Sequence, residues 1–236
     1  MAEKKFSIGQ AVKFGWGVLK DNLWLLLGIA IAAYLISLVP FFLALLKQKS
    51  MPVSSIILNI AHLALNSVVS MGLIKVSLRF CNYEKARFSD LLPRPDLFLK
   101  FLLSNILFIL ILFLGILLWV LGAVFWKIAF ISSNIIGIIW HSLFFIPTII
   151  LMLKFQFFGY FIMDKNLGPI AALRKSAEIT EGAKRDLFLF WVVMLGISLI
   201  GLIALIVGIF IAAPVIMLAH AFVYRSLLAK AESAQI

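Results

Sequence analysis

Asn59, His62, Asn66 and Ser70 stand three, four and four residues apart inside one long apolar run. On a helix that spacing puts them on one face. Amides, an imidazole and a hydroxyl sharing a face in hydrocarbon do one of two things. They line a route for a polar substrate or a proton, or they hydrogen-bond to neighbouring helices at about 1 kcal/mol each. An unmet polar group in lipid costs several kcal/mol. On either reading the stripe is therefore expected to face other helices, the first, fourth or sixth of the chain.

Three further side chains invite a chemical reading. His141 and His220 lie in later apolar runs. A metal site would need them to converge with His62 and further ligands, and their expected depths differ, so no metal is expected. Lys154 lies about nine residues inside the end of its run, either as a buried functional cation or with its ammonium snorkelling to the interface on its long stem. Gly-rich phosphate loops, nucleophile elbows and paired intramembrane carboxylates are absent from the sequence. Asp21, Asp164 and Asp186 fall at the ends of apolar runs, where solvation leaves them without a required role. The residues point away from an enzyme. No catalytic residue and no cofactor is expected.

The elements that must position these side chains follow from composition. Hydrophobic residues make up 64% of the 236, and Phe alone accounts for 22. The apolar runs reach or exceed the roughly 20 residues that cross a hydrocarbon core of about 30 Å. Stretches such as 102–113 read as lipid-facing all round. They lack the period-2 alternation of barrel strands, so the backbone must satisfy itself as helix. The expected fold is an all-α, polytopic transmembrane bundle forming one membrane domain over 1–236. Six spans are expected, near 22–46, 53–80, 97–124, 135–163, 186–207 and 209–228. The last two are separated only by a tight turn at Gly208. Residues 125–145 are an alternative extra span. The first run is too long for a cleavable signal, and no small-x-small site follows it, so it is expected to stay as a span.

Charge sets the expected orientation. With six spans, Lys47, Lys49 and Lys127 fall on one side, and the other eighteen of the 21 Lys and Arg residues fall on or near the opposite side with both termini. By the positive-inside rule the protein is a multi-pass cell-membrane protein with cytoplasmic N- and C-termini. The net charge of +11 then serves the anionic lipids of the inner leaflet. No basic segment is interleaved with exposed aromatics, as a nucleic-acid surface would be. The single cysteine, Cys81, excludes an intrachain disulfide.

Two connections on the basic side carry amphipathic helices of the kind that lie in an interface. Ser7 and Gln10 form a capping-box pair, followed by Ile8, Ala11, Val12 and Leu19 on one face, with Gly9, Gly15 and Gly17 expected to weaken the helix. Pro169 after Gly168 opens the second. Ile170, Leu173 and Ala177 form its apolar face, and Gly182 stops it. Ala11-Val12-Lys13, Ala172-Leu173-Arg174 and Ser89-Asp90-Leu91-Leu92 each precede a span, which reads either as a threefold repeat of interfacial helix and hairpin or as a general habit of membrane hairpins. Gly28/Ala32 and Ala204/Gly208/Ala212 have the small-xxx-small spacing of close helix contacts.

The segment from Phe161 to Ser176 reads FIMDKNLGPIAALRKS. Together with Ala11-Val12-Lys13-Phe14-Gly15-Trp16, Pro147 and Pro214, it resembles a bacterial group of six-span membrane proteins, the YciC-like family. That group includes the membrane domain attached to some glycerophosphoryl diester phosphodiesterases. Two positions depart from the pattern: Pro147 is followed by Thr148 and not Gly, and Ser176 by Ala177 and not Trp. The resemblance implies a fold and not a reaction, and no phosphodiesterase-type cluster of carboxylates and histidines accompanies it.

The expected role is a non-enzymatic scaffold or accessory factor, whose partners are inner-leaflet lipids and another membrane protein. The alternative is a carrier or scramblase for a lipid or small amphiphile, using the Asn59–Ser70 stripe. Topology is checked with an impermeant thiol reagent on intact cells, using single cysteines at Gln48 and Arg94 after replacement of Cys81. Gln48→Cys is expected to react and Arg94→Cys to stay unlabelled; the reverse pattern contradicts the orientation.

Overall fold

The computed structural model describes residues 5–46, 52–92, 94–129, 146–203 and 205–233, with the backbone alone at 40–46, 52–56, 126–129 and 205–207. Every regular element among them is helical. In chain order these are α1 (Ile8–Asp21), α2 (Leu23–Leu46), α3 (Pro52–Cys81), a 3-10 turn (Phe88–Leu91) and α4 (Pro95–Ala129). There follow α5 (Ile146–Lys165), α6 (Pro169–Ile179), α7 (Lys184–Ile203) and α8 (Leu205–Ser233). Among the described residues five helices, α3, α4, α5, α7 and α8, are long and apolar enough to cross a membrane, and α1 with α2, bent by 101°, makes up to six if the pair is counted as one span. The protein is an all-helical polytopic membrane bundle.

The described helices fall close to the expected spans, with two differences. The fifth span ends at Ile203 and the sixth helix already begins at Leu205, so Gly208 lies inside α8 and makes no turn. A Cβ on Gly201 would stand 2.8 Å from the Gly208 carbonyl oxygen and 3.1 Å from the Ala212 Cβ. The small residues near Gly208 bring α7 against α8. The start expected at 135, the alternative span 125–145 beyond Ala129, and His141 lie outside the described residues.

Burial is uneven. In the apolar windows of α5 and α8, 50% and 44% of the residues are buried, against 11% in α4. Helix α8 is the hub, packing on α1, α2, α3, α6 and α7. The second half of α5 buries Phe158, Gly159, Tyr160, Phe161 and Ile162. By contrast α4 presents Leu103, Leu110, Phe113, Leu114 and Leu121 outward, a surface suited to lipid tails. The largest core joins Phe101, Phe157, Phe190 and Tyr224 from four helices, and it sits where α4 and α7 begin and α5 and α8 end. This is also where the Lys and Arg side chains collect, and it is termed the basic end below.

The two amphipathic helices form, and both dock on the bundle. Ser7 caps α1, its Oγ accepting from the Gln10 amide at 3.4 Å, and Ala11, Gly15 and Leu19 are the buried face. Gly15 is there for proximity: a Cβ would lie 2.6 Å from the Val215 carbonyl oxygen of α8. Gly182, at φ +71°, closes the turn after α6 in the left-handed region open to glycine. Residues Phe88–Leu91, the third member of the expected repeat, form only a 3-10 turn.

Gly15→Leu is expected to destabilise the protein by about 1–3 kcal/mol, since the backbone of α8 must move. Gly17 has nothing within 4 Å of its Cβ position, so Gly17→Ala is expected to stabilise by up to about 1 kcal/mol through helix propensity. Thermal unfolding in detergent measures both, and an unshifted Gly15→Leu midpoint contradicts the docking of α1.

Candidate functional site

The sequence candidates do not form one site. Asn59 and His62 are exposed on α3, while Asn66 and Ser70 are half-buried. Asn66 donates to its own helix: its Nδ2 lies 2.8 Å from His62 Nε2 and 3.1 Å from the His62 carbonyl oxygen. His220 stands elsewhere, ringed by Phe157, Phe190 and Trp191 at 5.3–5.5 Å and stacked on Tyr160 at 6.5 Å between centroids. Lys154 is half-buried with its ammonium 5.5 Å from the Phe155 ring centroid. Among the described residues no three His, Cys, Asp or Glu side chains converge as metal ligands.

Asn66 and Ser70 do meet other helices. They line a cavity of about 310 Å³ between α2, α3 and α8, together with Leu26, Ala33, Tyr34, Ser37, Phe210 and Pro214. Its walls are mainly apolar, and among the described residues no charged side chain lines it. Tyr34, 52% exposed, stands at its open side, so the space is a crevice facing the bundle's flank. From Leu26 to Ser37 it extends about 16 Å along α2, roughly half of a bilayer core of about 30 Å.

The polar groups of the basic end are arranged differently, as closed sets. Asp164, on the last turn of α5, accepts both guanidinium nitrogens of Arg225 at 2.8 and 2.9 Å and the Tyr224 hydroxyl at 3.0 Å. Asp186 accepts the Lys5 amide at 3.2 Å, and Lys5 Nζ donates to the Glu181 carbonyl. The expectation that Asp164 and Asp186 stand idle in solvent is thereby corrected: each ties distant segments together. Lys100 of α4 donates to Asn166 Oδ1 at 2.8 Å, at the left-handed residue that ends α5, a favourable place for a cation.

Asp90 anchors the connection between α3 and α4. It is 3% exposed, 3.2 Å from Lys75 Nζ and 3.0 Å from Arg79 Nη1, and it accepts the Arg87 amide at 2.9 Å. Burial alone would raise its carboxyl, but the Arg87 amide and the two cations outweigh burial and hold it below its ordinary value of 3.8. Lys75 and Arg79 are therefore internal partners of the connection.

Of the polar contacts between helices that sequence reasoning missed, Asn105 and Gln156 were visible as polar residues within apolar runs, and Ser176 and Thr180 lie in a polar connection where nothing singled them out for such contacts. Asn105, within the stretch read as lipid-facing all round, donates to Ser67 Oγ at 3.0 Å and joins α4 to α3. Gln156 accepts from Trp191 Nε1 at 2.8 Å. Ser176 of α6 donates to the Lys154 carbonyl at 3.1 Å and its Oγ accepts the Phe157 amide at 3.0 Å, while the Thr180 hydroxyl that caps α6 has the Ser176, Ala177 and Lys154 carbonyls within 2.9, 3.1 and 3.1 Å. These bonds fall at Gln156 and Phe157, where α5 is interrupted by a turn. They also reorient α6. Its buried face is Ala172, Leu173, Ser176 and Ile179, whereas Ile170, expected beside Leu173 on the apolar face turned to the interface, is 70% exposed and free to meet lipid.

No family model, curated protein or solved structure matches the chain. The fold and the geometry above define it as a multi-span membrane protein.

The low folded value of Asp90 fixes the sign of a pH effect. Its stabilising contribution is full above the ordinary carboxyl value of 3.8 and is lost as pH falls through the lower folded value. Thermal unfolding across an acid series is expected to show this limb in the wild type and to lack it in Asp90→Asn, which starts from a lower midpoint at neutral pH. An identical acid limb in both proteins contradicts the assignment.

Proposed function

We propose that the chain works without catalysis, as a scaffold or accessory factor of the cell membrane, with its basic end and both termini on the cytoplasmic side. The observation that carries this reading is the internal use of three acidic groups: Asp164 and Asp186 hold segments far apart in sequence, and Asp90 pins the connection after α3 to that helix. Carboxylates engaged in this way position helices and are not free to act as general acids or bases. The exposed Lys13, Arg174 and Arg185 are suited to anionic headgroups of the inner leaflet.

Membership of the YciC-like six-span group belongs to the same proposal. The segment that carries the resemblance is architectural throughout. Asp164 binds Arg225, Gly168 and Pro169 open α6, and Ser176 bonds to the interruption of α5. A motif retained for these tasks is expected in a family of shared fold and varied or non-catalytic use.

A second reading, a carrier or scramblase for a lipid or small amphiphile, is supported by the crevice, because Asn66 and Ser70 of the stripe line it. The crevice covers about half the bilayer core, so passage through it requires a further opening.

Reconstitution into liposomes with a fluorescent-lipid scrambling assay separates the two. The scaffold reading expects no flux above protein-free vesicles. Flux that disappears in Asn59→Leu/His62→Leu/Asn66→Leu while the thermal midpoint is retained supports the carrier and overturns the scaffold.

A further inference from the structure

We propose that the crevice between α2, α3 and α8 is a binding site for an uncharged long-chain lipid bearing a hydroxyl, such as a diacylglycerol or a long-chain alcohol. The site goes beyond both readings, since a scaffold can hold such a lipid without moving it and a carrier can move it.

Three observations carry the proposal. The first is unused hydrogen-bonding capacity. Asn66 spends its Nδ2 on His62, which leaves Oδ1 free to accept. Ser37 spends its proton on the Ala33 carbonyl at 2.9 Å and keeps its lone pairs. Pro214 lacks an N–H, so the Phe210 carbonyl loses its usual helical donor, and both residues lie in the crevice wall. Tyr34 and Ser70 add hydroxyls that can donate. A ligand hydroxyl, able to donate and accept at once, matches this set.

The second is depth. Ser70 lies five residues, about 7 Å of helix rise, beyond Lys75 on α3, and Tyr34, counted at 1.5 Å per residue from the start of α2, lies about 16 Å from the basic end. The latter depth is near the middle of a hydrocarbon core of about 30 Å, where a surrounding phospholipid offers only methylenes. The polar group served there belongs to a molecule whose head can leave the interface.

The third is charge. Among the described residues no Lys, Arg, Asp, Glu or His lines the space. A phosphate or a free carboxylate at this depth would lack a counter-ion and be strongly disfavoured; a hydroxyl would not. The apolar floor of Leu26, Leu73 and Met217 receives the chain, and the volume of about 310 Å³ is at the lower end of ligand pockets. The open side past Tyr34 admits the molecule directly from the bilayer.

The test is photolabelling of the full chain in vesicles of phosphatidylethanolamine and phosphatidylglycerol. Four probes carry a diazirine near the chain terminus: a diacylglycerol, a long-chain alcohol, a fatty acid and a phosphatidylcholine. The hydroxyl probes are expected to form adducts at Leu26, Leu73 and Met217, and the relative yields of the two identify the source. The fatty acid and phosphatidylcholine are expected to label only outer faces such as Leu110 and Phe113 of α4. Unlabelled alcohol is expected to compete about fivefold better than its methyl ether, as loss of one donated hydrogen bond implies.

Ala33→Trp, which fills the crevice, is expected to lower crevice adducts about tenfold and leave those on α4. Tyr34→Phe/Ser70→Ala keeps the volume and removes the hydroxyls. It is expected to lower the crevice yield at an unchanged thermal midpoint, which covers the case of an Ala33→Trp protein that does not fold. Equal crevice labelling by all four probes, or crevice adducts unaffected by Tyr34→Phe/Ser70→Ala, overturns the proposal. The scrambling assay is read separately. Crevice labelling without flux keeps the site and removes the carrier; flux without crevice labelling keeps the carrier and removes the site.

Discussion

A helix cannot break in hydrocarbon unless something replaces the backbone hydrogen bonds it gives up. Helix α5 is interrupted at Gln156 and Phe157, and the basic end is organised around that fact. The Lys154 carbonyl and the Phe157 amide are met by Ser176 and Thr180, which requires α6 to fold back along α5 with its hydroxyls turned inward. Once α6 is placed, Ala183 and Leu187 are buried at the approach to and start of α7, and Trp191 reaches Gln156. Phe157, Phe190 and Trp191 then surround His220 of α8, and Asp164 secures α8 one turn further on through Tyr224 and Arg225. Each contact depends on the one before, and all lead back to two unsatisfied backbone groups.

The rest of the molecule is looser by comparison. Away from the basic end, hydrogen bonding between described helices is sparse, and Ser67–Asn105 is the clearest instance. Small residues, such as Gly201 against Gly208, set separations there. The bend of 101° between α1 and α2 lets α1 dock across α8 while α2 runs along α3 and α8. The crevice is the space left between those three helices. Polar capacity is therefore divided into two kinds: that of the basic end is largely engaged within the chain, with the buried Arg225 Nε left over, and that of the crevice is open.

The hydropathy runs made the helices legible because length and apolarity alone decide which segments can cross a bilayer. The cap at Ser7, the Gly168-Pro169 start and the turn at Gly182 were legible for a local reason, since each depends on backbone rules that act within a few residues. What could not be read depends on partners far away in sequence. Ile170 and Leu173 were read as one apolar face from their spacing, yet Leu173 turns inward with Ser176 and Thr180 toward the break in α5, and Ile170 stays outside. Asp164 looked solvated because the guanidinium that neutralises it lies 61 residues away. Gly208 looked like a turn because glycine ends helices as often as it lets them touch. Within the stripe, spacing put four residues on one face but could not show that Asn66 and Ser70 meet α2 and α8 while Asn59 and His62 stand exposed.

The dependence of the basic end on the α5 interruption is tested most directly by amide hydrogen exchange on Ser176→Ala/Thr180→Val in detergent. Leaving the Lys154 carbonyl and the Phe157 amide unmet is expected to cost about 1–3 kcal/mol for each buried group. Faster exchange is expected at 154–160, spreading to α6 and to the start of α7, with α4 unchanged. Exchange at these positions equal to the wild type would contradict the account, because the hydroxyls of α6 would then not be what holds the broken helix in place.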